Sequence, residues 1–291
     1  MVAERVGFIG LGIMGAPMSR QLLAAGFVLT VHSRSPEPVD ELVARGAERA
    51  GSPAEAARAS DVVITMLPDT PDVEQVVLGK DGVESGAAAG ALVVDMSTID
   101  PGPTRNIAER LASRGIEMLD APVSGGERGA IDGTLSIMVG GSEPAFARAA
   151  PILETMGTSV VHVGSNGAGQ IAKACNQLVV AATIEAVAEA LVLAARSGVD
   201  AAKVREALLG GFAGSKILEV HGQRMLDRTF EPGFRARLHR KDARIVLRAA
   251  EASGAPVPSF RAVAAQLDRL VDDAGRGDLD HSALFTLLDE A

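Results

Sequence analysis

Strand-length apolar runs at 5–9, 27–32, 61–65, 91–95 and 116–120 alternate with stretches whose apolar side chains recur at helical spacing, at 14–25, 38–45, 53–59, 71–78 and 103–113. Continuous apolar strands separated by helices predict a mostly parallel α/β sheet covered on both faces. Two further strands, at 135–140 and 159–163, flank a helix that Ser142 caps, with Pro144 in its first turn. After Gly164 the pattern changes. Residues 168–195 read as one long helix, apolar on nearly every face, which suits a helix enclosed by protein or held between subunits. Helical segments near 200–209, 215–227, 240–253, 259–273 and 279–289 follow without a strand signal, so the second half is read as all-helical. The predicted boundary lies at the glycine-rich joint after Gly164, giving domains over 1–164 and 165–291.

Composition narrows the function. A chain of 291 residues holds about two domains and buries about three quarters of its unfolded surface. With 47% hydrophobic and 22% charged residues it belongs to the soluble globular class. A net charge of -9 and the lack of any Lys/Arg run argue against nucleic acid and membrane surfaces as partners. Trp and Tyr are absent, so stacking platforms for bases are not available in number. A single cysteine, Cys175, excludes an internal disulfide or a cysteine-based metal cage and suits a reducing compartment; it reads as a small core residue. The N-terminal residues show no signal-peptide pattern, and the apolar stretch 177–195 carries Glu185 and Glu189, a poor membrane span. The expected location is the cytoplasm.

Gly10-Leu11-Gly12-Ile13-Met14-Gly15 follows a strand and opens a helix, the context in which three glycines of this spacing cradle a dinucleotide pyrophosphate. The first half is therefore read as a Rossmann-type doubly wound domain. Where NAD-preferring sites place an acidic residue at the end of the second strand, this chain has Ser33-Arg34-Ser35. No carboxylate repels a 2′-phosphate there and Arg34 offers a planar cation, so NADP(H) is expected to be preferred over NAD(H); the plain alternative is an arginine pointing into solvent. Met66-Leu67-Pro68 and Ser97-Thr98 close the third and fourth strands, where ligands of such sheets bind.

Ser124-Gly125-Gly126 combines exposed backbone N–H groups with a hydroxyl and suits a small carboxylate, or is an unliganded turn. Lys173 is a lone cation in the apolar helix, with Asn176 and Gln177 three and four residues on. It reads equally well as a proton donor to a carbonyl oxygen and as a structural lysine. Lys241, in His239-Arg240-Lys241-Asp242, is either a ligand cation or part of a solvated face. The five histidines are scattered without ligand spacing, so no metal and no Ser/His/Asp triad is assigned.

Four blocks together resemble the β-hydroxyacid dehydrogenase family: residues 8–18, residues 120–126 with Gly133-Thr134-Leu135, Gly167 through Lys173 to Asn176, and residues 234–242. The resemblance runs from residue 5 to residue 288, and Gly210-Gly211-Phe212-Ala213-Gly214-Ser215 and Asp280-His281-Ser282-Ala283-Leu284 look like its tartronate semialdehyde branch. It implies an oxidoreductase acting on a small semialdehyde or hydroxy acid. Lys173 would be the general acid, Ser124, Gly125 and Gly126 would hold the carboxylate, and Asn176 and Gln177 would lie at the substrate. Phe234, Lys241 and Asp242 would close over the cofactor. Many relatives carry Asn-Asn after the lysine, so the Asn176-Gln177 pair places its second amide one methylene further out. The resemblance further implies a homodimer or homotetramer with the long helix between domains and subunits. The rivals are a 3-hydroxyisobutyrate dehydrogenase, a glyoxylate or succinic semialdehyde reductase, and a non-catalytic dinucleotide-binding module; Lys173 with Ser124-Gly125-Gly126 speaks against the last.

Overall fold

The structure, a computed structural model, describes residues 4–290; residues 1–3 of the N-terminal stretch read for a signal peptide lie outside them. The chain divides into two compact units, Met1–Lys173 and Ala174–Ala291. The first contains β1 (Arg5–Ile9), α1 (Gly15–Ala24), β2 (Val28–His32), α2 (Pro36–Ala44), β3 (Glu48–Arg49), α3 (Pro53–Arg58), β4 (Val62–Thr65), α4 (Thr70–Leu78), α5 (Val83–Gly86) and β5 (Leu92–Asp95). It continues through α6 (Pro101–Ala112), β6 (Glu117–Asp120), β7 (Val123–Ser124), α7 (Gly126–Asp132), β8 (Leu135–Gly140), α8 (Glu143–Leu153) and β9 (Gly157–Gly164). Helix α9 (Ala168–Arg196) carries the division between Lys173 and Ala174.

Strand order is β3-β2-β1-β4-β5-β6-β8-β7, with β9 beside β8. The first six strands are parallel, while β8 runs antiparallel to β6 and β7. Side-chain alternation explains why the central strands read as continuous apolar runs. Phe8, Ile64, Val94 and Leu119 pack on one face with Leu22 and Val31, whereas Ile9, Val63, Val93 and Met118 pack on the other with Ile107 and Leu111. Both faces are covered, so successive residues are all buried.

Two of these strands end on a buried aspartate at the carboxyl edge. Asp95 Oδ1 accepts from Thr65 Oγ1 at 2.8 Å and from Ser97 Oγ at 2.6 Å, and Ser97 Oγ in turn accepts from Leu67 N at 2.9 Å. Among the described residues its Oδ2 has no hydrogen-bond partner, and full burial pushes the Asp95 pKa up to about 6 against the pull of its Ser97 and Thr65 bonds. Asp120 accepts from Gly167 N at 2.7 Å and from Gln170 N at 3.0 Å, so a strand-terminal carboxylate caps the start of α9. A Cβ at Gly169 would meet Asp120 O at 2.4 Å and Met138 O at 2.5 Å, so only glycine lets the helix approach the sheet this closely. Gln170 adds a second tie, its amide donating to Ser97 O and accepting from Ile99 N.

The second unit is helical, with α10 (Ala201–Leu209), α11 (Lys216–Asp227), α12 (Ala236–Ser253), α13 (Pro258–Asp268) and α14 (Leu284–Asp289) following the rest of α9. Its core is mostly aliphatic, joining Ile184, Ala188 and Leu191 to Met225, Val246, Phe260, Leu267 and Leu284. Helix α9 is long and apolar enough to cross a bilayer by length and composition. Lys173 and Glu185 are nonetheless buried on it, as in a helix packed within protein.

Most expected elements appear within a few residues, and the differences have physical causes. Helix α12 starts a turn before the expected 240, because Ala236 N and Arg237 N donate to Leu279 O and Gly277 O, a cap supplied from 40 residues away that no local signal announces. The segment expected as a helix to 273 passes at Arg269 into a π-turn, where Ala274 N reaches back to Arg269 O. Helix α7, the two-residue strands β3 and β7 and the four-residue α5 were not expected; each is too short or too glycine-rich to show a period. Cys175 is exposed rather than in the core, because it shares with Ile171 and Val179 the face of α9 that the chain leaves uncovered.

Two stability outcomes follow from the buried aspartates. Asp120→Ala strands buried N–H groups at the start of α9 and should cost about 3 kcal/mol or more in denaturant melts; a loss below about 1 kcal/mol would contradict the capping role. For Asp95 the folded pKa lies above the unfolded one, so its contribution is fullest at low pH and is lost as pH rises from 3.8 to about 6. That loss amounts to about 3 kcal/mol. Melts of the parent chain and of Asp95→Asn across this range should diverge by that order, and parallel curves would count against a protonated Asp95.

Candidate active site

The parallel strands deliver their loops to one edge. Gly10 N donates to His32 O, Met66 N to Ile9 O, Met96 N to Thr65 O and Ala121 N to Asp95 O, all between 2.7 and 2.9 Å. The segments 10–15, 33–35, 66–68, 97–98 and 121–126 therefore all leave the carboxyl edge of the sheet, where doubly wound folds bind ligands.

The three glycines of the first loop are held by different demands. A Cβ at Gly10 or at Gly15 would collide with the protein, meeting Met66 O at 2.3 Å and Gly10 O at 1.9 Å respectively. A Cβ at Gly12 would meet nothing within 4 Å. Internal packing thus explains the outer two, and Gly12 faces open space beside a helix start. Met14, the N-cap of α1, makes no side-chain capping bond, and the first turn holds no acid. The positive end of the α1 dipole lies at this loop, which fits a pyrophosphate. Ile13 beside it is 58% exposed.

Beyond β2, Ser33 is half-buried while Arg34 and Ser35 are exposed. Among the described residues no hydrogen bond or ion pair engages the Arg34 guanidinium, which leaves its donors available to a ligand phosphate. Met66 and Leu67 are half-buried and Pro68 exposed; Leu67 is fixed through Ser97 to Asp95. Thr98 is half-buried after β5. Ser124 ends the edge strand β7 opposite Ser136, and Gly125 and Gly126 then turn the chain into α7 with φ of 136° and 61°.

Lys173 lies one turn beyond Gln170, whose side chain reaches the backbone at the end of β5, so helical spacing puts both on one face. It is 7% exposed, which places an ammonium in a shielded position at the start of the helix that Asp120 fixes.

In the second unit the remaining residues form a linked set. Asn176 donates to Gln177 Oε1 at 2.8 Å, Gln177 Nε2 donates to Asp242 Oδ2, and Lys241 Nζ stands 3.1 Å from Asp242 Oδ1. Asp242 is 2% exposed, so it serves as a brace for Lys241 and Gln177. The longer Gln177 side chain thus has a partner within its own unit. Phe234, half-buried, receives a tie from elsewhere, its N donating to Asp280 Oδ2 at 3.2 Å.

Sequence reasoning missed the supporting acids. Asp95 and Asp120 each close an apolar strand at its carboxyl end, and that position was the available signal. The reading of the histidines as scattered is overturned: His221, His239 and His281 converge beside Asp280, brought together by α11, α12 and the turn before α14.

Comparison with known proteins agrees with this architecture. Residues 5–164 match the profile of the NAD binding domain of 6-phosphogluconate dehydrogenase, and residues 167–288 that described as NAD-binding of NADP-dependent 3-hydroxyisobutyrate dehydrogenase. The chain is 47% identical over 285 residues to a 2-hydroxy-3-oxopropionate reductase of Escherichia coli, covering 98% of this chain and 97% of that protein. It is 40% identical over 293 residues to a NAD-dependent L-serine dehydrogenase of Pseudomonas aeruginosa, covering 98% of each. The solved structure of a Mycobacterium tuberculosis 3-hydroxyisobutyrate dehydrogenase with L-serine superposes with a TM-score of 0.89 at 36% identity over 99% of both chains. With its glycine loop, strand-edge loops and two matched halves, the chain belongs to the β-hydroxyacid dehydrogenase family, NAD(P)-dependent oxidoreductases that act on the CH–OH group of hydroxy acids.

Proposed function

We propose that this protein reduces tartronate semialdehyde (2-hydroxy-3-oxopropanoate) to D-glycerate, with NADPH preferred over NADH. The observation that carries the reading is the shielded Lys173 ammonium, set on the Gln170 face of a helix whose first turn is fixed to the ends of β5 and β6. The bound nicotinamide supplies the hydride. Lys173 supplies the proton to the carbonyl oxygen as negative charge develops there, and its burial keeps competing water from that position. Ser124 offers a hydroxyl and Gly125 and Gly126 offer backbone N–H groups to the substrate carboxylate. Asn176 and Lys241 are assigned to the ligand as well, with Gln177 and Asp242 holding them in place.

The substrate is supported by the 47% identical reductase and by the segments 210–215 and 280–284, which resemble that branch. Relatives acting on L-serine and 3-hydroxyisobutyrate make those compounds the competing substrates. The cofactor preference is supported by the exposed, unengaged Arg34 at the end of β2 and by the absence of an acid at 33–35. The uncovered apolar side chains Val179 and Leu193 on α9, 60% and 69% exposed, support assembly with further copies of this chain.

Lys173→Ala should bind NADPH as the parent does while turnover falls by about 10² or more; near-normal turnover would remove the lysine from the mechanism. Initial rates of reduction of tartronate semialdehyde, succinic semialdehyde and the aldehydes corresponding to 3-hydroxyisobutyrate and L-serine, each with NADPH and with NADH, should favour the first with NADPH. A higher kcat/KM on another member of the panel would reassign the substrate. Arg34→Asp should move the efficiency ratio toward NADH, and an unchanged ratio would mean that Arg34 does not read the phosphate.

A further inference from the structure

The second unit buries a group of titratable side chains that the proposed chemistry does not use. His281 is 5% exposed and both of its ring nitrogens face other rings: Nδ1 lies 2.9 Å from His239 Nδ1, and Nε2 lies 3.2 Å from His221 Nε2. His221 Nδ1 is 3.5 Å from Asp280 Oδ1, long for a hydrogen bond but aimed at the nearest charge. Asp280 is fully buried. Its Oδ2 faces Arg224 Nη1 at 3.0 Å and accepts from Gly233 N and Phe234 N, and its Oδ1 accepts from Ser282 N and Ser282 Oγ.

The proton positions follow from this geometry. A neutral imidazole carries one N–H and one lone pair, and each nitrogen–nitrogen contact holds one hydrogen. The Asp280 carboxylate demands a hydrogen on His221 Nδ1, which leaves His221 Nε2 as a lone pair. His281 must then donate from Nε2, and that nitrogen also lies 4.0 Å from the same Asp280 oxygen. Its Nδ1 is left to accept from His239 Nδ1–H. The opposite order would turn a lone pair of His221 toward the carboxylate.

We propose that His239, His281 and His221 form a single proton-ordered chain ending on Asp280, and that this chain positions the segment from Phe234 to Lys241. The link to the segment is direct. Phe234 hangs from Asp280 by its backbone N–H, and its ring meets His239 and His281 edge-on at 5.7 and 5.5 Å. His239 stands on α12 two residues before Lys241. The charged and titratable groups facing the chain are His221 and Arg224 from α11, His239 from α12, and Asp280 with His281 from the C-terminal turn. Burial, together with the neighbouring His239, holds the His281 pKa well below its ordinary 6.5, so the central ring of the chain stays neutral where exposed histidines charge.

The 3.2 Å between His221 and His281 Nε2 atoms would also suit two ligands of a tetrahedral metal ion. The Asp280 carboxylate, however, is already occupied by Arg224 and by backbone donors, and a guanidinium beside a cation is repulsive. The geometry therefore favours protons over a metal.

Long-range nitrogen–proton NMR on the full chain tests the proposal without mutation, with His32 and His162 as references outside the cluster. The expected spectrum has His221 and His239 in the Nδ1–H form and His281 in the Nε2–H form, with His281 still neutral below pH 6.5. His281 in the Nδ1–H form, an ordinary histidine titration of His281, or collapse of the three signals on adding stoichiometric Zn²⁺ would each overturn it. The positioning role rests on the reading that Lys241 meets the ligand. His281→Phe should raise KM by on the order of ten- to a hundredfold with kcat largely kept, and the amide of His281→Gln should restore part of the loss. If Lys241→Ala leaves KM unchanged while the NMR pattern holds, the reading of Lys241 fails and the chain stands. If Lys241→Ala raises KM and His281→Phe does not, the positioning role fails.

Discussion

The placement of the first turn of α9 depends on one carboxylate. Asp120, at the end of a central strand, receives the N–H groups that open α9, so the negative side chain meets the positive end of the helix where both are out of water. Burial alone drives its pKa upward, and the backbone donors at Gly167, Gln170 and Gly169 pull against that rise. The bond ties the strand that ends at residue 120 to the first turn of α9, and the α9 residues of the same unit take their positions from it. Gln170 and Lys173 are the first to do so.

The second unit uses the same device. Asp280 gathers the backbone of Gly233 and Phe234, 47 and 46 residues away, together with the Arg224 side chain. In both units an aspartate without solvent joins segments distant in sequence by accepting from main-chain N–H groups. Such groups are directional and scarce in an aliphatic core, so they select one register where apolar packing would tolerate several. The chain has no Trp or Tyr, and the polar ties that aromatic hydroxyl and indole groups often make in such units fall here to acids, amides and histidines.

The glycine loop separates what packing requires from what a ligand requires. Gly10 and Gly15 are fixed by collisions with the protein itself, and only Gly12 faces open space. A three-glycine match on its own does not distinguish these demands, and the family relationship and the geometry at Gly12 together do. The supporting network of Asp95, Ser97 and Leu67 holds the loop that follows β4 and was not visible as a motif, because Leu67 stands 28 and 30 residues before Asp95 and Ser97 and meets them only when the strands align side by side.

The alternation of buried strands and helices, the strand–glycine loop–helix unit, the long apolar helix and the helical character of the second half were all written in the sequence, because each depends on spacing within a dozen residues. Ser142 at the head of α8 was legible for the same reason, its Oγ accepting from Ala145 N three residues on. What the tertiary structure alone decided were contacts between segments far apart along the chain: the antiparallel β8, the first turn of α12 capped by residues 277 and 279, the exposure of Cys175, and the meeting of three histidines that stand 18 and 42 residues apart in sequence. Local periodicity reports which face of an element is apolar, but only the packed chain determines which other element covers it and which polar groups are enclosed in doing so.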